Sequence, residues 1–287
     1  MDDVIKKEII KLNTRILGES FMSRLERIPT KLNEFGYDEF GFKPEVIKYI
    51  VPIFYFLCKI YWRVEAFGLQ NIPKSGRVLL VCNHAGQLPW DGSVVICTIF
   101  NEMEPPRMAR SMIEKWTTTL PFMGEWMSLA GQIVGTPENC QRLLENDEAI
   151  LVFPEGTRGI NKLFKDRYHL QDFGHGFMRL ALKTNTPIIP IASIGSEESC
   201  PAIFNIKWLA KLLGAPAAPI TPTFPLLGPL GILPYPVKYR LYFGEPMHFT
   251  GDPDEDDVEI DLKVQTVRNT IQSMIYDGLH ARKHVFW

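Results

Sequence analysis

The chain has 287 residues, 46% of them hydrophobic and 22% charged, which is enough apolar mass to bury a core and too much for a disordered polymer. Thirty-one basic against thirty-three acidic side chains leave a formal charge of −2, so no global positive field gathers a polyanion, and this argues against a nucleic-acid partner. The five cysteines are odd in number and widely spaced without a CxxC pair, which fits a reducing compartment and offers neither a disulfide framework nor a zinc site.

The N-terminus, MDDVIKKEIIKLNTR, opens acidic and carries a helical pattern, so no signal peptide is expected. Residues 47–62, IKYIVPIFYFLCKIYW, form the strongest early apolar stretch. It falls short of the ~20 apolar residues that a spanning helix needs, and Pro52 and Lys59 interrupt it. Two readings stand: a shallowly inserted amphipathic helix whose flanking Lys and Arg stems reach headgroups, or a helix buried against the rest of the chain. Residues 1–62 are therefore read as an N-terminal helical, membrane-associating segment, and 63–287 as the main domain.

From Arg63 the pattern changes. VEAFG leads through the turn NIPKSG into RVLLVCNH, a compact aliphatic run that reads as a buried strand. Further strands are predicted at 132–135, 149–153, 188–193 and 238–243, with helices at 92–102, 113–120, 139–146 and 174–185. Such alternation predicts an α/β fold, a central sheet flanked by helices. Residues 214–236 carry closely repeated prolines among apolar side chains, which forbids a regular helix or central strand; the loop either packs over the core or faces lipid. The acidic stretch 251–261 reads as a solvated turn before a closing helix at 262–279.

Two stretches carry candidate chemistry. In NHAGQLPWDG, residues 83–92, a histidine stands just past a strand end and an aspartate at a helix start. Imidazole titrates near neutrality, and a carboxylate on one ring nitrogen fixes the tautomer and leaves the other free to take a proton. His84 is thus the candidate base and Asp91 its orienting partner. On one straight helix they would stand about 10 Å apart by rise alone, so the pairing depends on a loop that Pro89 favours at Leu88. The competing reading is a strand-capping histidine and a helix-capping aspartate. In AILVFPEGTRG, residues 149–159, a buried strand ends in a turn where Gly156 and Thr157 can present backbone N–H groups and Arg158 a planar guanidinium to an anion. Taken alone, Glu155 and Arg158 also read as a surface ion pair.

Together these stretches resemble the glycerolipid acyltransferase superfamily, the PlsC-type acyltransferases, whose hallmarks are an NHxxxxD block followed by an FPEGTR block. FPEGTR is present unchanged, FGHGF at 173–177 stands where the family has a phenylalanine-led turn, and PIIPIA at 187–192 is similar to its proline-led strand. The resemblance covers roughly residues 64–244 and implies a mixed central sheet flanked by helices. Two features depart from the pattern. Six residues separate His84 from Asp91 where the family has four. The family's GxxFIxR block is replaced by GQIVGTPENC, with Pro137 near the expected arginine, and Arg110 and Lys162 are candidates to replace that phosphate ligand.

The resemblance implies transfer of a fatty acyl group from a thioester, acyl-CoA or an acyl-carrier protein, to a glycerolipid hydroxyl, with neither metal nor redox cofactor. His84 would be the general base, Asp91 would stabilise the imidazolium, and Glu155, Gly156, Thr157 and Arg158 would bind the substrate and its phosphate. The first expectation for the acceptor is lysophosphatidic acid, giving phosphatidic acid; the alternative is a neutral acceptor such as diacylglycerol or a long-chain alcohol. A third expectation is a lipid-binding member made non-catalytic by the longer His–Asp spacing. A lipid product implies a membrane surface as partner, reached from the cytosolic face, with 45–62 and 215–236 as docking candidates.

Overall fold

The computed structural model describes residues 3–28, 30–88, 90–119, 123–206, 208–210 and 217–287. The chain begins with helices α1 (Asp3–Leu17), α2 (Glu19–Ser23) and α3 (Pro44–Phe56), the last running into a π-helical turn, Leu57–Tyr61. Then follow β1 (Glu65–Phe67), β2 (Val78–Cys82), α4 (Trp90–Glu102), β3 (Ala109–Ile113), α5 (Met123–Leu129), β4 (Ile133–Val134), α6 (Pro137–Glu145) and β5 (Ala149–Val152). The remaining elements are α7 (Thr157–Ile160), α8 (Gly176–Thr184), β6 (Ile188–Ile194), α9 (Ser196–Ser199), β7 (Phe204–Asn205), β8 (Pro219–Ile220), β9 (Arg240–Phe243) and α10 (Asp257–Ala281).

Seven strands form one sheet in the order β1-β9-β6-β2-β5-β3-β4. The run from β6 to β4 is parallel, β9 lies antiparallel to β6, and β1 runs with β9, which makes the sheet mixed. The β2 sequence VLLVC is aliphatic throughout because both its faces are covered. Val78, Leu80 and Cys82 face a cluster with Val94, Val95 and Ile99 of α4. Leu79 and Val81 face the other side, with Leu143 of α6, Met178 of α8 and Val264 and Ile271 of α10. Pro190 sits inside β6 without breaking the ladder: β9 pairs only with Ile191–Ile194, so the missing N–H falls beyond its end.

Register decides where the site forms. β2 and β5 are parallel neighbours with Val81 opposite Val152, so the chain leaves both strands at the same sheet edge. The segments beginning at Asn83 and Phe153, far apart in sequence, thereby emerge side by side, as is general at the carboxyl ends of parallel strands.

Residues 1–62 share the main core. Met22, Leu25, Phe42, Ile47, Val51 and Trp62 belong to the same apolar cluster as Leu80, Ile189 and Leu241 of the sheet. Helix α3 is two-faced: Ile47 and Val51 are buried in the core, while Ile53 and Phe56 are exposed. Lys59 bonds Glu102 at 2.5 Å, and Arg63 donates to the carbonyls of Tyr61, Pro236 and Phe286, so these two cations are tied within the protein. No helix of the described residues is long and apolar enough to cross a membrane.

Two local expectations are corrected. The helix predicted at 113–120 is the end of β3 followed by a 3₁₀ turn, Lys115–Thr119, with Leu120 outside the described residues. β3 itself lacked a sequence signal because Arg110 and Ser111 break its apolar run. The closing helix starts at Asp257, since Asp256 caps it by accepting from the Val258 and Glu259 amides, so half of the acidic stretch is helical. Of residues 214–236, those at 214–216 lie outside the described residues; the rest is loop apart from β8 and a 3₁₀ turn, Gly228–Ile232.

Candidate active site

His84 follows β2 directly, and its loop is anchored one residue earlier. The buried Asn83 side chain pairs with β6 like a short strand, accepting from Ser193 N at 2.7 Å and donating to Ser193 O at 3.1 Å. Gly86 and Gln87 then take left-handed backbone angles, φ 89° and 60°, and turn the chain back before α4 starts at Trp90. Pro89, expected to favour this loop, lies outside the described residues. The added length is therefore absorbed in a tight reversal, and Asp91, on the first turn of α4, meets the ring: Asp91 Oδ2 lies 2.7 Å from His84 Nδ1.

Asp91 is fully buried, and each of its oxygens has a backbone donor as well, Ala85 N–H at 2.9 Å and Gly92 N–H at 2.8 Å. A carboxylate accepts only, so the proton of the ring lies on Nδ1, and it is Nε2 that carries the lone pair whenever the ring is neutral. The imidazole stacks on Phe153 with centroids 4.2 Å apart, which fixes the ring plane. A relay broken by the longer spacing is thus corrected: the two side chains are within hydrogen-bond distance.

The second block supports the first. Glu155 is 1% exposed and faces inward; its Oε1 accepts the His84 amide at 2.9 Å and its Oε2 the Gln171 amide at 2.8 Å. Its reading as a substrate ligand, or as one half of a surface ion pair with Arg158, is corrected, because the carboxylate is consumed in holding the two loops together. Gly159 allows that contact: a Cβ there would stand 2.7 Å from the His84 carbonyl oxygen and 2.8 Å from His84 Cβ. Gly156 adopts φ 55° and spends its N–H on the Phe153 carbonyl at 2.9 Å, which removes it from the amides expected to meet an anion.

His84, Phe153, Gly156 and Thr157 border a cavity of about 930 Å³. The rest of its wall is largely apolar: Ile47, Ile50 and Phe54 of α3, Ile96 and Phe100 of α4, Met112 of β3, Trp126 of α5, and Ala217 and Pro219 from the proline-rich loop. Both apolar stretches singled out in the sequence therefore front this space.

The sequence model of the Acyltransferase family matches residues 63–194, which contain both blocks. The chain belongs to the glycerolipid acyltransferase superfamily. An uncharacterized protein of Mycobacterium tuberculosis H37Rv is 42% identical over 260 residues, covering 88% of this chain and 72% of that protein. A Gallus gallus protein named as a DGAT1/2-independent enzyme synthesizing storage lipids is 25% identical over 209 residues, 72% of this chain and 58% of its own. The crystal structure of PlsC, the 1-acyl-sn-glycerophosphate acyltransferase of Thermotoga maritima, shares the fold with a TM-score of 0.52 and 17% identity, covering 98% of each chain.

The cations expected to bind phosphate in this acyltransferase are placed otherwise. Arg110 is buried in β3, where Nη1 bonds Asp38 at 2.8 Å and Nε donates to the Gly131 carbonyl at 2.6 Å. Lys162 is buried between Glu197 at 3.0 Å and Glu155 at 3.4 Å. The reading of both as substitutes for the missing arginine is corrected, because each is already neutralised inside the protein. Pro137 opens α6 behind the Thr136 cap, so that segment begins a helix where the family pattern has its arginine. Arg158 is exposed, donates to the Asp172 carbonyl at 2.8 Å, and does not line the cavity; Lys115 is the one Lys or Arg among the described residues that does.

The sequence showed the residue types of the dyad but missed three supports: Asn83, Phe153 and Gly159. Asn83 and Phe153 lie inside the two blocks, and Gly159 directly follows FPEGTR, so adjacency to a motif was the available signal.

Proposed function

We propose that this acyltransferase moves a fatty acyl group from a thioester to a lipid hydroxyl, with His84 as general base. The observation that carries the reading is the His84–Asp91 pair, 2.7 Å apart, at the wall of a large apolar cavity. His84 Nε2 takes the acceptor hydroxyl proton as that oxygen attacks the thioester carbonyl; the carbon–sulfur bond breaks, and the proton returns to the departing thiolate. Asp91 stabilises the imidazolium formed in between. The cavity walls offer an alkyl chain a dry surface, and acyl-CoA or an acyl-carrier protein supplies the thioester.

For the acceptor, a neutral glycerolipid hydroxyl is favoured over lysophosphatidic acid. Arg110 and Lys162 are locked in buried ion pairs, and no arginine among the described residues lines the cavity. The Gallus gallus relative, named as an enzyme synthesizing storage lipids, agrees with this choice. The second reading, lysophosphatidic acid, draws on the intact FPEGTR block, whose exposed Arg158 can meet a phosphate from outside the cavity rim. With palmitoyl-CoA as common donor, dioleoylglycerol is expected to be acylated faster than oleoyl-lysophosphatidic acid, and Arg158→Ala to leave that order intact. A preference for the phosphate-bearing acceptor that disappears in Arg158→Ala would return the reading to lysophosphatidic acid.

A membrane surface is the proposed partner. Exposed Ile53, Phe56 and Ile60 extend α3 and its π-helical turn, while exposed Leu226, Leu230 and Leu233 extend the proline-rich loop; both elements also wall the cavity. Burying such side chains in lipid yields ~25 cal/mol per Å², so Ile53→Asp with Phe56→Asp is expected to reduce co-flotation with phosphatidylcholine vesicles. Undiminished flotation of the double variant would remove α3 from the docking surface.

A further inference from the structure

Lys162 lies beneath the two motif blocks, outside the cavity wall. Its ammonium stands 3.0 Å from Glu197 Oε1 on α9, 3.4 Å from Glu155 Oε2 and 3.3 Å from the His169 carbonyl oxygen. From Glu155 the connection runs on to the site, because the same carboxylate accepts the His84 amide at 2.9 Å. The main chain of Lys162 makes a second connection: its carbonyl accepts from Gln87 Nε2 at 2.7 Å. Gln87 sits in the lengthened stretch between His84 and Asp91 and holds one of its left-handed angles, φ 60°. One residue therefore grips the His84 loop at two points, through Glu155 at its start and directly at its reversal.

We propose that Lys162 is a positioning residue: braced by Glu197, it fixes the Glu155 carboxylate and the Gln87 side chain, and so sets where the His84 ring stands in the cavity. The proposal deepens the reading of His84 as base and rests on it. The geometry makes the brace specific. Two carboxylates buried against one ammonium cannot both be fully neutralised by it, so the lysine is held between them at a defined point. Burial, with Glu155 adding to it, pushes Glu197 up to about 7 against the lowering effect of Lys162. The Tyr168 backbone also bonds Glu197, and the next residue, Glu198, is separately engaged, accepting from the Tyr168 hydroxyl and from Arg282 at 2.9 Å.

The test compares the full chain with Lys162→Met, Lys162→Arg and Glu197→Gln, each labelled at its histidines, with the His84 ring signals assigned by their loss in His84→Ala. Lys162→Met is expected to displace the His84 signals and their titration midpoint, leave those of His248, which lies next to the start of β6 while Glu197 follows its end, in place, and be reversed in Lys162→Arg. In palmitoyl-CoA and dioleoylglycerol assays the same variant is expected to lose about 10–100-fold in kcat with KM nearly unchanged, the cost of a misplaced reacting group. Should Lys162→Met fail to fold with two carboxylates left unpaired, Glu197→Gln decides. It removes one buried charge, keeps an oxygen for Lys162, and is expected to displace the His84 signals in a folded protein. His84 signals unmoved in every folded variant, whatever happens to Tm, would overturn the proposal. The magnetic-resonance arm needs no turnover, so a failed acyl-transfer reading, seen as His84→Ala at full rate, is a separate result.

Discussion

His84→Ala is expected to lower acyl transfer by about 10²–10⁴-fold, the usual contribution of a positioned general base, while the protein stays folded. Structure explains why the loss should be confined to chemistry. The ring is partly exposed to the cavity, with its side chain 12% accessible, and packs on one face against Phe153. Beyond the ring's bond to Asp91, the contacts that hold the loop are made by other groups: the His84 amide to Glu155, the Asn83 side chain to Ser193, and the Ala85 amide to Asp91. Alanine keeps all of them. The measurement is the initial rate of palmitoyl transfer alongside a thermal melt; a collapsed melt would assign the ring a structural role instead.

Asp91→Asn is expected to cost a comparable factor in rate, about 10²–10⁴, for a different reason. The carboxylate accepts three hydrogen bonds, from the His84 ring and from the Ala85 and Gly92 amides. An amide of the same shape brings an NH₂ group against one of these donors whichever way it turns. If its oxygen stays with His84, the NH₂ faces the Gly92 N–H; if it flips, the NH₂ opposes Nδ1–H and drives the ring to the wrong tautomer. Asparagine also cannot stabilise the imidazolium. A buried unsatisfied donor costs about 1–3 kcal/mol, so Asp91→Asn is expected to lose stability as well as rate, unlike His84→Ala. Urea titrations of both variants beside their rates check this split; an Asp91→Asn variant that transfers at the wild-type rate would remove Asp91 from the mechanism.

Much of this arrangement was legible because parallel strands buried on both faces are written as aliphatic runs. VLLVC, AILV and IIPIASI stand out from their surroundings, and the two blocks that follow β2 and β5 carry their chemistry on consecutive residues. The rest was hidden where a residue's environment is set by a distant partner. Arg110 reads as a free cation in sequence, but Asp38, 72 residues earlier, claims it in the interior, and its charge conceals the strand β3 around it. Lys162 is claimed in the same way by Glu197, 35 residues later. Glu155 belongs to a recognisable motif, yet its partners are main-chain amides of His84 and Gln171, and an amide carries no letter in a sequence. The His–Asp spacing misled for a related reason: distance along the chain becomes distance in space only through the backbone angles at Gly86 and Gln87.

Residues 1–62 show the same limit. Their apolar content suggested a membrane-facing extension, and one face of α3 is exposed, but the other face completes the core and the cavity wall. A helix that serves core, cavity and surface at once cannot show a clean amphipathic pattern, and its sequence is apolar nearly all round.

The central claim, that the His84–Asp91 pair activates a lipid hydroxyl against a thioester, is tested most directly by thiol release from palmitoyl-CoA with and without a lipid acceptor in wild type and His84→Ala. The predicted result is release by the wild type that requires dioleoylglycerol or oleoyl-lysophosphatidic acid, matches the ester formed, and is lost in His84→Ala. Release that ignores the acceptor, or that persists at full rate without the His84 imidazole, would contradict it.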